Sequence, residues 1–169
     1  MAHLPLARRV ACIGSASVAI LALAAGTAWA QPPITGTEVT TFSESFTEPT
    51  LCQDELYTTT ADIRMVVHFT FFEDTGALHL HESIQGKVVA VPLDGTGPRY
   101  TGSFTVGDSE NIRAVRNGDE LVEVDTDRDR AVLHGSDGSK AFSLFHAHFT
   151  INANGETTVQ LETDKLVCS

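Results

Sequence analysis

Two histidine pairs, His79-Leu80-His81 and His146-Ala147-His148, are the residues whose type and spacing most readily do chemistry in this chain. On a β-strand, residues i and i+2 project from one face, so each pair presents two imidazoles to one point. Imidazole is a common ligand of zinc and other divalent metals, and His68, His134, Glu82 and Glu162 supply further candidate ligands. If both pairs converged inside a cavity, His79, His81, His146 and His148 with Glu162 would form a metal-dependent or His/Glu acid–base centre, of a cyclase or isomerase kind. The same spacing also suits a polar layer on a half-buried sheet, and His-x-His alone has low specificity. A polar layer is the favoured reading and no cofactor is expected; a divalent metal is the one these pairs would take if they converged.

Other patterns fail on inspection. Gly107-Asp108-Ser109-Glu110 resembles the nucleophile block of one hydrolase family, but Glu110 stands where a leucine is required, and Gly, Asp and Ser favour a turn. There is no Gly-x-Ser-x-Gly elbow. Asp125, Asp127 and Asp129 imitate the start of a calcium loop, with Arg130 in place of the glycine and Ser136 in place of the glutamate; a solvated turn is the simpler reading. Gly135-Ser136-Asp137-Gly138 reads as a turn. Tyr57 and Tyr100 read as core or rim aromatics, with Tyr100 a candidate for a barrel mouth.

The elements that must position these residues are strands. After Gln31 the pattern is period-two alternation rich in Val, Thr, Ile and Phe, cut by Gly, Asp and Asn. Strands are expected near 38–47, 55–72, 77–91, 99–106, 111–115, 121–124, 131–134, 140–151 and 156–167, with a bulge or bend at Gly86. Asn152-Ala153-Asn154-Gly155 forms a hairpin turn, and a three-residue loop pairs Phe149 with Val159, His148 with Gln160 and His146 with Glu162. At Glu73-Asp74-Thr75-Gly76, a two- or four-residue loop puts His68, His79 and His81 on one face, whereas a three-residue loop puts His79 and His81 beside Phe71 and Phe69. The fold class is therefore all-β: a single antiparallel β-barrel, or alternatively a β-sandwich, of about seven to nine strands.

The beginning of the chain sets the compartment. Arg8-Arg9, the apolar run from Val18 to Ala25, and Ala28-Trp29-Ala30 follow the order of an export signal with its cleavage site. Residues 1–30 are the expected signal peptide and 31–169 the secreted all-β domain. The apolar run falls short of the roughly 20 residues of a spanning helix, so no membrane span is expected. Cys12 precedes the run, whereas a lipidated cysteine follows it. Cleavage leaves Cys52 and Cys168, which an oxidising compartment joins as a disulfide. It also removes the one tryptophan, Trp29, and two arginines but no acid, taking the net charge from −11 to −13. Such an acidic domain repels phosphate backbones and anionic lipid, so nucleic acid is not an expected partner.

The order Cys52, His68-x-Thr70, Gly76-x-x-His79, Gly97-Pro98-Arg99-Tyr100, the block from Phe145 to Glu156, and Cys168 resembles a group of small secreted actinobacterial β-barrel-like proteins. The likeness runs through nearly all of the chain after the signal. It departs at Asp125–Arg130, a charged stretch where that group has a more neutral turn. The resemblance implies the compartment, the fold and the disulfide, and it assigns no reaction. Three readings of function follow: non-catalytic binding of a small apolar ligand or a cell-surface role, the His-pair enzyme, and a structural or partner-binding secreted module.

Overall fold

The computed structural model describes residues 31–114 and 121–169; the export signal read in residues 1–30 lies outside them. The fold is all-β, one antiparallel sheet of seven strands in sequence order. The strands are β1 (Ile34–Pro49), β2 (Leu56–Phe72), β3 (Ala77–Pro92), β4 (Tyr100–Ala114), β5 (Leu121–Gly135), β6 (Lys140–Ile151) and β7 (Thr157–Cys168). An odd-numbered meander leaves its first and last strands running the same way. β1 pairs with β2 and β7 with β6, and the sheet is not closed by pairing of β1 with β7.

Two expected turns are instead strand interiors. Gly107-Asp108-Ser109-Glu110 lies within β4 and Asp125–Arg130 within β5, and the two stretches pair directly: Gly107 with Arg128, Asp108 with Asp127, Glu110 with Asp125. Their composition suits a turn, but their polarity alternates with period two, and here the alternation decides the structure. Gly86 pairs in register with Ile63 and Phe104, so it marks no bulge. Its role is close approach: a Cβ there would sit 2.5 Å from the Phe104 ring and 2.9 Å from the Asp62 carbonyl oxygen.

The turn at Glu73–Gly76 takes the four-residue form, with Phe72 opposite Ala77 and Gly76 at φ 66°. The β6–β7 hairpin departs from expectation. Gly155 has the positive φ, 77°, that the turn requires, and Asn152 Oδ1 accepts from the backbone N–H of both Asn154 and Glu156. Beyond it a register shift between Thr150 and Ile151 pairs Phe149 with Gln160, not Val159. The slip moves Val159 and Leu161 off the apolar face, where both stay about half exposed.

One face of the sheet, hereafter the inner face, holds the core. The row Ala61–Val88–Gly102–Leu133 and the row Ile63–Gly86–Phe104–Ala131 run across β2 to β5, and their side chains are almost fully buried. No helix or second sheet stands over this face among the described residues. Each fully buried Val or Leu contributes about 1.5–3 kcal/mol relative to exposure.

The two ends of the inner face differ. At one end, the connection from Thr50 to Glu55 folds inward, and Leu51 packs on both apolar clusters. Tyr57 and Tyr100 are each 1% exposed, with ring centroids 5.8 Å apart, so Tyr100 is core. Tyr100 Oη accepts from Gln53 Nε2 at 3.0 Å and is hydrogen-bonded to Ser139 Oγ at 3.1 Å, which ties the connections after β1 and after β5 to the start of β4. The Cys52–Cys168 disulfide, as expected, joins the first connection to the end of β7, with a Cα–Cα distance of 5.8 Å. This is the disulfide end. The opposite end, carrying the turns at Glu73–Gly76 and Asn152–Glu156, is the hairpin end.

Candidate functional site

The structure separates the residues expected to act together. His68 lies directly opposite His81, and His79 follows two residues along β3; all three are exposed on the outer face. Thr37 Oγ1 and His68 Nδ1 are hydrogen-bonded at 2.7 Å, and the His79 ring sits 5.4 Å from that of Phe72. His146 and His148 are half-buried on the same outer face of β6, opposite Arg128 and Thr126. Thr126 Oγ1 and His148 Nδ1 are hydrogen-bonded at 2.9 Å, and His146 Nε2 is buried without a partner.

Strands β4 and β5 stand between the two histidine groups. At roughly 4.8 Å per strand, the groups are about 14 Å apart. Glu162 is opposite Ala147, on the inner face and so across the sheet from both pairs. It does not face His146, because the register shift near Thr150 puts Thr163 there. His134 lies opposite Lys140 at the disulfide end. Among the described residues, no group of three or more His, Cys, Asp and Glu side chains is arranged to hold a metal ion.

What the structure does assemble is a wall of carboxyl groups on the inner face, towards the hairpin end. Going across the strands, Val67, Glu82, Asp108, Asp127 and Ala147 form one row. Phe69, Leu80, Glu110, Asp125 and Phe149 form the next. Asp129 follows on the core side, paired with Val106 and Phe145. In the outer of the two rows every side chain is half-buried, in contrast to the filled rows nearer the disulfide.

Like charges directly opposite each other destabilise a sheet, and partial burial removes water that would screen them. Protonation relieves both. Burial, then a side-chain hydrogen bond with Asp108, then the charges of Asp108, Asp127 and Glu110 push Asp125 up to about 8. Burial and the Asp108 charge raise Glu82; burial, Glu123 and Asp108 raise Glu110. At neutral pH Asp125 is therefore mainly protonated and shares its proton with Asp108. The Oδ1 atoms of Asp108 and Asp125 are buried and without a partner.

The chain was compared with family models, curated proteins and solved structures. It matches none of them.

A half-buried carboxyl cluster binds positive charge well, since a cation settles several like charges at once. The flanking Phe69, Leu80 and Phe149 offer apolar surface in the same row. Five of the acids, Asp108, Glu110, Asp125, Asp127 and Asp129, lie in two stretches whose composition predicts turns, which hides that they share one face. Reading Asp108 and Glu110, and Asp125, Asp127 and Asp129, as alternate strand positions would have found them.

Proposed function

We propose that this chain is an exported, disulfide-locked binding module whose inner face, at the hairpin end, takes a small apolar molecule bearing a basic group. Half-buried aromatic side chains and carboxyl groups in one row carry the reading: Phe69, Leu80, Glu110, Asp125 and Phe149. Small-molecule sites combine apolar lining with a few placed polar groups, and here the polar groups are acids. A purely apolar ligand would leave them uncompensated; an amine would neutralise them. Export is supported by the signal pattern that ends at Ala30 and by the Cys52–Cys168 bridge, a bond that persists in oxidising compartments.

The test uses calorimetric titration of residues 31–169 with a phenylalkylamine, its matching alcohol and its matching carboxylate at pH 7. The amine binds, the alcohol binds at least about tenfold more weakly, and the carboxylate does not bind. Asp108→Asn weakens the amine and leaves the alcohol unchanged. Equal affinity for the three compounds would rule the reading out.

A second reading rests on Asp125, which holds a proton at neutral pH beside Asp108. Such a pair supplies a general acid and a general base in one place. It would replace the histidine pairs as the centre of an acid–base enzyme. A substrate turned over with a rate that falls as pH rises through about 8, and abolished by Asp125→Asn, would select it over simple binding.

A further inference from the structure

The two faces of the sheet carry opposite charge. On the strands, Glu38, Glu44, Glu82, Asp108, Asp125 and the other acids project inward, whereas Arg64, Lys87, Arg128, Arg130 and the other basic side chains project outward. Among the described strand residues, Asp62 is the one carboxylate on the outer face. A chain with a net charge of −11 thus shows a basic outer surface, which the inner acids do not interrupt.

An open groove of about 670 Å³ crosses this face over β1 to β4, along the row Phe42–Ile63–Gly86–Phe104. That volume lies within the usual range of small-molecule sites, about 300–1,000 Å³. Thr41, Ser43, Ser103 and Thr105, the amide-bearing Gln85 and the charged Arg64 and Lys87 border it, over a floor that is mostly apolar. Asp62 accepts the Ser43 hydroxyl at 2.6 Å and lies directly opposite Lys87, so the groove sets two cations against one carboxylate. Arg64 is opposite Gln85, and Lys87 is two residues further along β3, which makes the two cations diagonal neighbours roughly 7–8 Å apart.

We propose that this groove binds an acidic saccharide, a chain of hydroxylated rings bearing carboxylates. Arg64 and Lys87 hold two acid groups, and the hydroxyl and amide side chains bond the ring hydroxyls. A nucleic acid finds two cations, but the two aromatic residues along the groove, Phe42 and Phe104, belong to the inner-face row and offer no ring on this side to stack a base. The site is on the face opposite the carboxyl wall and does not depend on what binds there.

The test is titration of residues 31–169 with a galacturonate hexamer, a neutral galactose hexamer, and an oligothymidylate of matched charge. Binding of the galacturonate hexamer is expected, about tenfold tighter than either comparator. It weakens as salt is raised. Arg64→Gln with Lys87→Gln reduces it about tenfold or more, while Arg128→Gln with Arg130→Gln leaves it within about twofold. These side chains are exposed, and an unchanged thermal midpoint confirms that the variants fold. No binding of the hexamer by the folded protein overturns the proposal. So does equal affinity for the neutral saccharide or for oligothymidylate, or equal loss in the two double variants.

Discussion

The disulfide end and the hairpin end of the inner face use the same strands to opposite purpose. At the disulfide end the row Ala61–Val88–Gly102–Leu133–Ala141 is apolar, covered by an inward connection and bolted by Cys52–Cys168. Two residues along β5 from Ala131 the wall turns acidic, beginning at Asp129 and continuing through Asp127 and Asp125. Apolar burial is concentrated in the first region, whereas the second gathers half-buried carboxyl groups that raise one another's proton affinity.

The acids at the two ends also titrate in opposite senses. Asp94 and Asp137, in connections at the disulfide end, are held below the usual carboxylate range by hydrogen bonds from the side chains and then the backbone N–H groups of Thr96 and Ser139. Asp125, Glu82 and Glu110 are pushed above it. A lowered group contributes stability that is present at neutral pH and lost as pH falls through its folded value. A raised group contributes stability that is complete below the ordinary carboxylate value and is lost as pH rises, for Asp125 up to about 8.

The comparison can be broken in several ways, the largest first. Replacing Cys52 and Cys168 together by serine should cost up to about 4–5 kcal/mol of unfolding free energy, the loop-entropy value for a closed span of about this length, with real losses often smaller. Leu133→Ala, at a side chain 1% exposed, should cost about 2–5 kcal/mol in urea unfolding. Leu80→Ala, half-buried at the hairpin end, should cost much less, about 1 kcal/mol. Equal costs would erase the distinction between the ends. Gly86→Ala should cost about 1–3 kcal/mol, because the new Cβ meets the Phe104 ring. The smallest effect is in pH dependence: the thermal midpoint should fall from pH 5 to pH 8.5, and Asp125→Asn should flatten that fall. A midpoint that rises over this interval would mean that the carboxyl wall is not under charge stress.

The sequence made the all-β class legible through period-two alternation, and the disulfide through the pairing of Cys52 with Cys168. Gly76 and Gly155 announced their turns, since a positive φ suits glycine. The seven strands fall within the expected seven to nine, but the expected strands 99–106 and 111–115 are one strand, as are 121–124 and 131–134, because Gly107–Glu110 and Asp125–Arg130 carry turn-forming residues in strand interiors. The β6–β7 register was missed because the extra residue near Thr158 is not encoded by any Gly or Pro. For the histidines, spacing said that each pair shares a face. It could not say that β4 and β5 would keep the pairs apart, a fact of strand order, nor that Glu162 would fall on the other face.

The most direct test of the central claim, that the hairpin end is an acidic site awaiting a cation, is an NMR titration of the Asp125 carboxyl carbon in residues 31–169. The account predicts a midpoint near 8, and a lower midpoint once a phenylalkylamine saturates the site, because a bound cation favours the ionised carboxylate. A midpoint in the ordinary aspartate range, unmoved by the amine, would contradict it.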